Sequence, residues 1–169
     1  AVVEACARGD RGDKALELIT EMRTKLTDAA SYNAAIAACQ KAQQWKLVVE
    51  IFEDMRQAGV EQDVFAYSSA LWACAKIGEW RRLLEIFDEM PHELTATTYN
   101  LAIRAAAKTD KERVLALMDQ AGDANLNVGS WNAAISACVK LGRCDTALQL
   151  LSDMRQRGVE PDVFSYSSA

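Results

Sequence analysis

The sequence predicts an all-α protein built as a solenoid of stacked antiparallel helix hairpins, and three observations carry that expectation. Ser31–Ala70 (SYNAAIAACQKAQQWKLVVEIFEDMRQAGVEQDVFAYSSA) aligns without a gap on Ser130–Ala169 (SWNAAISACVKLGRCDTALQLLSDMRQRGVEPDVFSYSSA), at an offset of 99 residues. Within that offset the aromatic positions Tyr32, Tyr67, Tyr99 and Trp131 follow one another at 35, 32 and 32 residues, so it holds three periods, and periods of this length mark solenoids. Each period contains two apolar segments with the i, i+3, i+4, i+7 spacing of amphipathic helices.

In chain order, residues 1–28 form a partial copy that keeps the end of a first helix and a second helix near Lys14–Arg23. The full repeats are 29–63, 64–95, 96–127 and 128–162, and 163–169 begins another. The first helix of each hairpin, helix A, is expected at Ser31–Ala42, Ala66–Ile77, Thr98–Lys108 and Ser130–Leu141. Helix B is expected at Trp45–Gln57, Trp80–Met90, Lys111–Gln120 and Cys144–Arg157. Gly59 and Gly158 supply the left-handed residue that ends a helix, and Pro161 reinforces the second stop. The whole chain reads as one repeat domain, because its eight glycines and two prolines leave no stretch that could serve as a linker. The chain begins and ends inside helices, which predicts a fragment whose targeting segment lies elsewhere.

Half of the residues are apolar, enough to bury a core, yet every apolar run is interrupted well before the roughly 18 positions that a membrane helix needs. A soluble protein with no membrane insertion is expected. Cys6, Cys39, Cys74 and Cys138 recur at one place in the repeat and read as small core residues in a reducing compartment. The nearest cysteines, Cys138 and Cys144, lack metal-ligand spacing and have no histidine beside them, so neither a metal nor any other cofactor is expected. Trp45 and Trp80 stand at the start of helix B, and Met22, Met55, Met90 and Met154 recur within it; these and the helix A aromatics read first as core, with base stacking as the alternative for the aromatics.

A formal net charge of −5 argues at first sight against nucleic acid. Its distribution argues the other way. The four helix A segments contain no Asp or Glu, whereas Lys41, Lys76, Arg104, Lys108 and Lys140 make them basic; the acids fall mainly on helix B, as at Glu50, Glu53, Asp54, Glu85, Asp88, Glu89, Asp145 and Asp153. A solenoid that lines its inner face with one helix row would then carry a basic groove and an acidic back. Lys41, Lys76, Lys108 and Lys140, with Arg8 in the partial copy, place one cation nine residues after each helix A aromatic or its equivalent. Either they meet phosphates, or they compensate helix C-terminal dipoles, which is worth about 0.3–1 kcal/mol anywhere. The absence of acids from the rest of helix A favours phosphate.

The wording Ser-Tyr-Asn at 31–33, Glu-Asp-Met-Arg at 53–56 and Gly-Val-Glu-Pro-Asp at 158–162 resembles the pentatricopeptide repeat pattern, and the resemblance covers essentially the whole chain. It implies a right-handed superhelical solenoid that binds single-stranded RNA, one base per repeat, in organellar RNA processing, stability or translation, in mitochondrion or plastid. In that family each base is contacted by a polar residue near the start of helix A and by the last residue of the repeat, and two side chains suffice to read one unpaired Watson–Crick edge. Carried over, the pairs are Asn33 with Asp63, Ser68 with Thr95, Asn100 with Asn127, and Asn132 with Asp162. The family's preferences imply uracil for Asn with Asp and a pyrimidine, cytosine favoured, for Asn with Asn; Ser68 with Thr95 departs from the pattern and is assigned no base. Those same residue types are also ordinary cap and turn residues. The base-flanking places, bulky aliphatics in the family, hold Ala30, Phe65, Thr97 and Gly129, so only Phe65 offers a large surface for base stacking.

His92 is the sole histidine, so no Ser-His-Asp triad can be assembled, and there is no GxxxxGK[ST] phosphate loop. A binding protein rather than an enzyme is expected, although members of the family can carry a catalytic C-terminal domain. The reading from a different class is a non-catalytic scaffold that holds other proteins of a large organellar complex. The shortened middle repeats, the Ser68/Thr95 pair and the small base-flanking residues favour it.

Overall fold

The computed structural model describes residues 28–91, 95–122 and 126–168. Arg8, Cys6, Met22, His92 and the helix expected near Lys14–Arg23 lie outside them. The described residues form nine helices: α1 (Ala29–Lys41), α2 (Trp45–Gln57), α3 (Val64–Ile77), α4 (Trp80–Glu89), α5 (Ala96–Thr109), α6 (Arg113–Ala121), α7 (Val128–Lys140), α8 (Cys144–Gln156) and α9 (Val163–Ser168). The odd-numbered helices up to α7 are the four expected A helices, and α2, α4, α6 and α8 are the B helices.

The A helices begin two residues earlier than the apolar pattern indicates, because the residue that ends each repeat caps the helix of the next. The Asp28 carboxylate accepts from Ser31 N at 2.8 Å, and Asp63 accepts from Ala66 N at 2.8 Å. Thr95 Oγ1 accepts from Thr98 N at 3.3 Å, and Asn127 Oδ1 accepts from Ser130 N at 3.0 Å. Each relieves one of the unpaired N–H groups of a helix start. Bonds from the Ser31 side chain and backbone hold the Asp28 carboxyl below its ordinary pKa. At the other end, Gly59 and Gly158 adopt φ of +68° and +72° just past α2 and α8. Helix α6 starts two residues later than expected, after a turn at Lys111 and Glu112.

The chain divides into two compact units, Ala1–Glu79 and Trp80–Ala169. In the first, α2 packs between α1 and α3, which also touch each other. Its core is Ile36, Ile51, Phe52, Met55 and Leu71, with the Phe52 and Tyr67 rings edge to face at 5.3 Å. In the second, α5, α7 and α9 pack in succession, α4 lies against α5, α6 bridges α5 and α7, and α8 lies against α7. Leu83, Ile86, Ile103, Leu117, Ile135 and Met154 are fully buried there, and Phe87 meets Tyr99 edge to face at 5.7 Å. Tyr32, Tyr67, Tyr99 and Trp131 are all buried, as expected of core aromatics at hairpin junctions. Cys39, Cys74 and Cys138 are buried, as expected of small core residues, and burial pushes the Cys138 thiol above its ordinary pKa, which disfavours its thiolate. No described helix is long and apolar enough to cross a membrane.

Candidate nucleic-acid interface

In the second unit α5 and α7 lie side by side and enclose a surface pocket of about 370 Å³. Arg104, Ala107 and Lys108 line it from α5, and Gly129, Asn132, Ala133, Ser136 and Lys140 line it from α7. Its lining holds three cations and no acid, a local excess of positive side chains in an acidic chain. The pocket lies where the sequence places the reading of one base, since Asn132, its base-flanking Gly129 and two rungs of the lysine ladder all line it.

Lys41, Lys76, Lys108 and Lys140 are all exposed near the C-terminal ends of their helices. Two of them rest on indoles. Lys76 Nζ stands 5.9 Å from the Trp45 ring centroid and 5.0 Å from that of Trp72, and Lys108 Nζ stands 5.2 Å from that of Trp80. Trp45 and Trp80 are only half-buried, so besides packing they hold the ammonium of the following repeat's A helix, at about 0.5–1 kcal/mol for an exposed cation–π contact. Of the acids outside the A helices, Asp88 on α4 pairs with Arg113, and Glu112, in the turn before α6, pairs with Arg143 at 2.7 Å.

Two of the four expected selector pairs meet directly through their side chains. Asn33 Nδ2 donates to Asp63 Oδ2 at 2.7 Å, while the other carboxylate oxygen caps α3. Asn132 Nδ2 donates to Asp162 at 3.0 and 3.2 Å, and Asp162 also accepts from Ser165 N at 2.8 Å at the start of α9. Asn100 Oδ1 accepts from the backbone N–H of Asn127 at 3.2 Å, so this pair is joined through main chain. Ser68 belongs to the first unit and donates to the Phe65 carbonyl at 3.1 Å; Thr95 belongs to the second and caps α5. The cap role and the pairing role therefore coexist in Asp63, Asn127 and Asp162. Phe65 is 41% exposed at the start of α3, and Ala30, Thr97 and Gly129 are exposed but small.

Sequence reasoning missed Ser130 and Ser165. Both are fully buried, and each donates its hydroxyl to the amide of the expected selector in the repeat before: Ser130 Oγ to Asn100 Oδ1 at 2.6 Å, and Ser165 Oγ to Asn132 Oδ1. The available signal was a hydroxyl three residues past each repeat end, at Ser31, Thr98, Ser130 and Ser165, with Ala66 in the remaining place. Trp72, 41% exposed on α3, was also passed over. Among the described residues no cluster of His, Cys, Asp and Glu is arranged to hold a metal ion.

Comparison with known proteins agrees with the repeat reading. The chain matches the PPR repeat family over residues 27–76 and 126–169, and single PPR repeats over 1–25 and 65–93. A chloroplastic pentatricopeptide repeat-containing protein of Arabidopsis thaliana is 54% identical over 43 residues, which are 25% of this chain and 7% of that protein. The maize pentatricopeptide repeat protein PPR10, solved in complex with an 18-nucleotide psaJ RNA element, superposes with a TM-score of 0.75 at 24% identity over 98% of this chain and 26% of its own. Nuclear proteinaceous RNase P 2 of A. thaliana superposes with a TM-score of 0.76 at 14% identity over 98% of this chain and 39% of its own. The chain thus spans well under half of the proteins it matches, and the structural likeness shows the fold. With repeats matched along most of the sequence and all-helical hairpins throughout the described residues, the chain belongs to the pentatricopeptide repeat family.

Proposed function

We propose that this chain binds single-stranded, pyrimidine-rich RNA along its A helices, reading one base per repeat, and that it serves RNA processing, stability or translation in a mitochondrion or plastid. The observation that carries this reading is the pocket between α5 and α7, whose lining brings Arg104, Lys108 and Lys140 together with Asn132 and includes no acid, the Asp162 carboxylate being engaged by the Asn132 amide. Cations there neutralise phosphates, and an amide held by Asp162 offers hydrogen bonds to one base edge. The PPR10 complex with RNA and the chloroplastic relative support the ligand class and the organellar setting. Lys41, Lys76, Lys108 and Lys140 are assigned to the RNA backbone, Arg8 to the same role in the partial copy, and Phe65 to base stacking. The role is binding; the nuclease named among the structural neighbours is matched over 39% of its length.

A salt titration of a fluorescent pyrimidine-rich RNA tests this. About four phosphate contacts at about 0.7 ions each give a log–log slope near −3, duplex RNA competes poorly, and Lys140→Ala brings the slope about 0.7 closer to zero for every sequence alike. A slope near zero would contradict the lysine assignment. A specific feature favours the scaffold alternative, a subunit that holds other proteins of an organellar complex: Ala30, Thr97 and Gly129 leave three of four base-flanking places without an apolar side chain of any size. Undetectable RNA binding by a folded chain would select it.

A further inference from the structure

Reading a pyrimidine with an amide demands that the amide keep one orientation, because a half-turn exchanges its donor and its acceptor. Uracil and cytosine differ by the same exchange: uracil presents O4 as acceptor and N3–H as donor, cytosine its N4 amine as donor and N3 as acceptor. An asparagine tied at neither end accommodates both, and one tied at a single end can still swing about that contact and lose its aim.

Resting on the base-reading function proposed above, we propose that the hydroxyl three residues past each repeat end is a positioning group that locks the selector amide and so sets discrimination between uracil and cytosine. Ser130 acts on Asn100 and Ser165 on Asn132. Ser165 Oγ accepts the Asp162 backbone N–H at 3.1 Å through one of its two lone pairs, and its single proton faces two acceptors, Asn132 Oδ1 at the shorter distance and Asp162 Oδ1 at 2.9 Å. Asn132 is thereby held at both ends of its amide: Nδ2 by Asp162, Oδ1 by Ser165. Ser130 Oγ lies 2.6 Å from Asn100 Oδ1 and 3.2 Å from Asn127 Oδ1, and its shorter contact adds a second donor to an amide oxygen that also accepts the Asn127 backbone N–H at 3.2 Å. Burial of both serines keeps water from replacing them.

The remaining repeats supply natural controls. Where the position is Ala66, Asn33 is tied only through Nδ2, to Asp63, and Asn33 Oδ1 is buried with no hydrogen-bond partner. Where the selector is Ser68, which has no amide to orient, the hydroxyl is Thr98 and donates instead to the Thr95 carbonyl at 2.8 Å. The hydroxyl reaches a selector in the two described cases where an amide precedes it, and the alanine leaves an amide oxygen orphaned.

The test is selection of randomised single-stranded RNA by the whole chain, followed by sequencing. Asn132→Thr and Asn33→Thr first identify the nucleotide that each selector reads. Ser165→Ala then lowers the uracil-to-cytosine ratio at the Asn132 nucleotide by about fivefold, the lower end of what a base-edge contact discriminates, and Ser165→Thr preserves it. Ala66→Ser raises the ratio at the Asn33 nucleotide by a similar factor. The ratio is measured within one sample, so lost folded protein does not move it, and the gain in Ala66→Ser cannot come from lost structure. If Asn132→Thr shifts a nucleotide while Ser165→Ala and Ala66→Ser leave both ratios unchanged, the hydroxyl lock is wrong and base reading stands. If Asn132→Thr moves no nucleotide, base reading fails and the lock falls with it.

Discussion

At Asp63 one carboxylate serves two neighbours, with Oδ1 capping α3 and Oδ2 holding Asn33. Substitution separates the two roles. Asp63→Ala removes the cap and costs about 1 kcal/mol in urea unfolding, whereas Asp63→Ser keeps a good cap and stays within about 0.5 kcal/mol of the parent while losing the grip on Asn33. Equal destabilisation by both would show that stability at Asp63 comes from the asparagine contact. At the proposed reading position, the family's pairing rule implies that Asn132→Thr with Asp162 kept shifts preference at one nucleotide from uracil toward guanine, by about 1–3 kcal/mol for a base-edge contact, and the salt slope is expected to stay unchanged. The residues of this site were legible to different degrees. Asn132 and Asp162, whose side chains do meet, were named through the family resemblance, which marks those two places in each repeat. Ser130 and Ser165 were not, because their partners lie 30 and 33 residues away and only the stacking of α5, α7 and α9 brings them together.

At the scale of the helix, apolar spacing located all eight hairpin helices among the described residues and missed the A-helix starts by two positions. The first two residues of each A helix, between its cap and its first core position, are exposed or half-buried, so periodicity is blind to them. The turns between helices A and B show a cost that periodicity also does not register. Gly142 takes φ of +71° between α7 and α8, and Gln43, at the equivalent place between α1 and α2, takes φ of +56° with a side chain attached. Left-handed backbone is unfavourable for such a residue by about 1–2 kcal/mol, part of which glycine returns through its freer unfolded chain. Gln43→Gly is therefore expected to stabilise the chain by up to about 1 kcal/mol, seen as a melting temperature about 2–4 °C higher. A lower melting temperature would mean that the Gln43 side chain makes contacts worth more than its strain.

For the molecule as a whole, net charge misled and charge placement informed, since the basic face of α5 and α7 coexists with a formal charge of −5. The fold class could be read from the repeat alone; the indoles beneath Lys76 and Lys108 could not, because those contacts depend on how one repeat's A helix packs over the preceding repeat's B helix. The central claim is that RNA lies along the A helices, with its bases toward the selectors. Photocrosslinking of a 4-thiouridine oligonucleotide to the chain, with adducts mapped by mass spectrometry, tests it most directly. The account predicts adducts within Ala96–Thr109 and Val128–Lys140, concentrated around Gly129 and Asn132 and lost in 1 M salt, where the Debye length falls to about 3 Å. Adducts confined to Arg113–Ala121 and Cys144–Gln156 would contradict it.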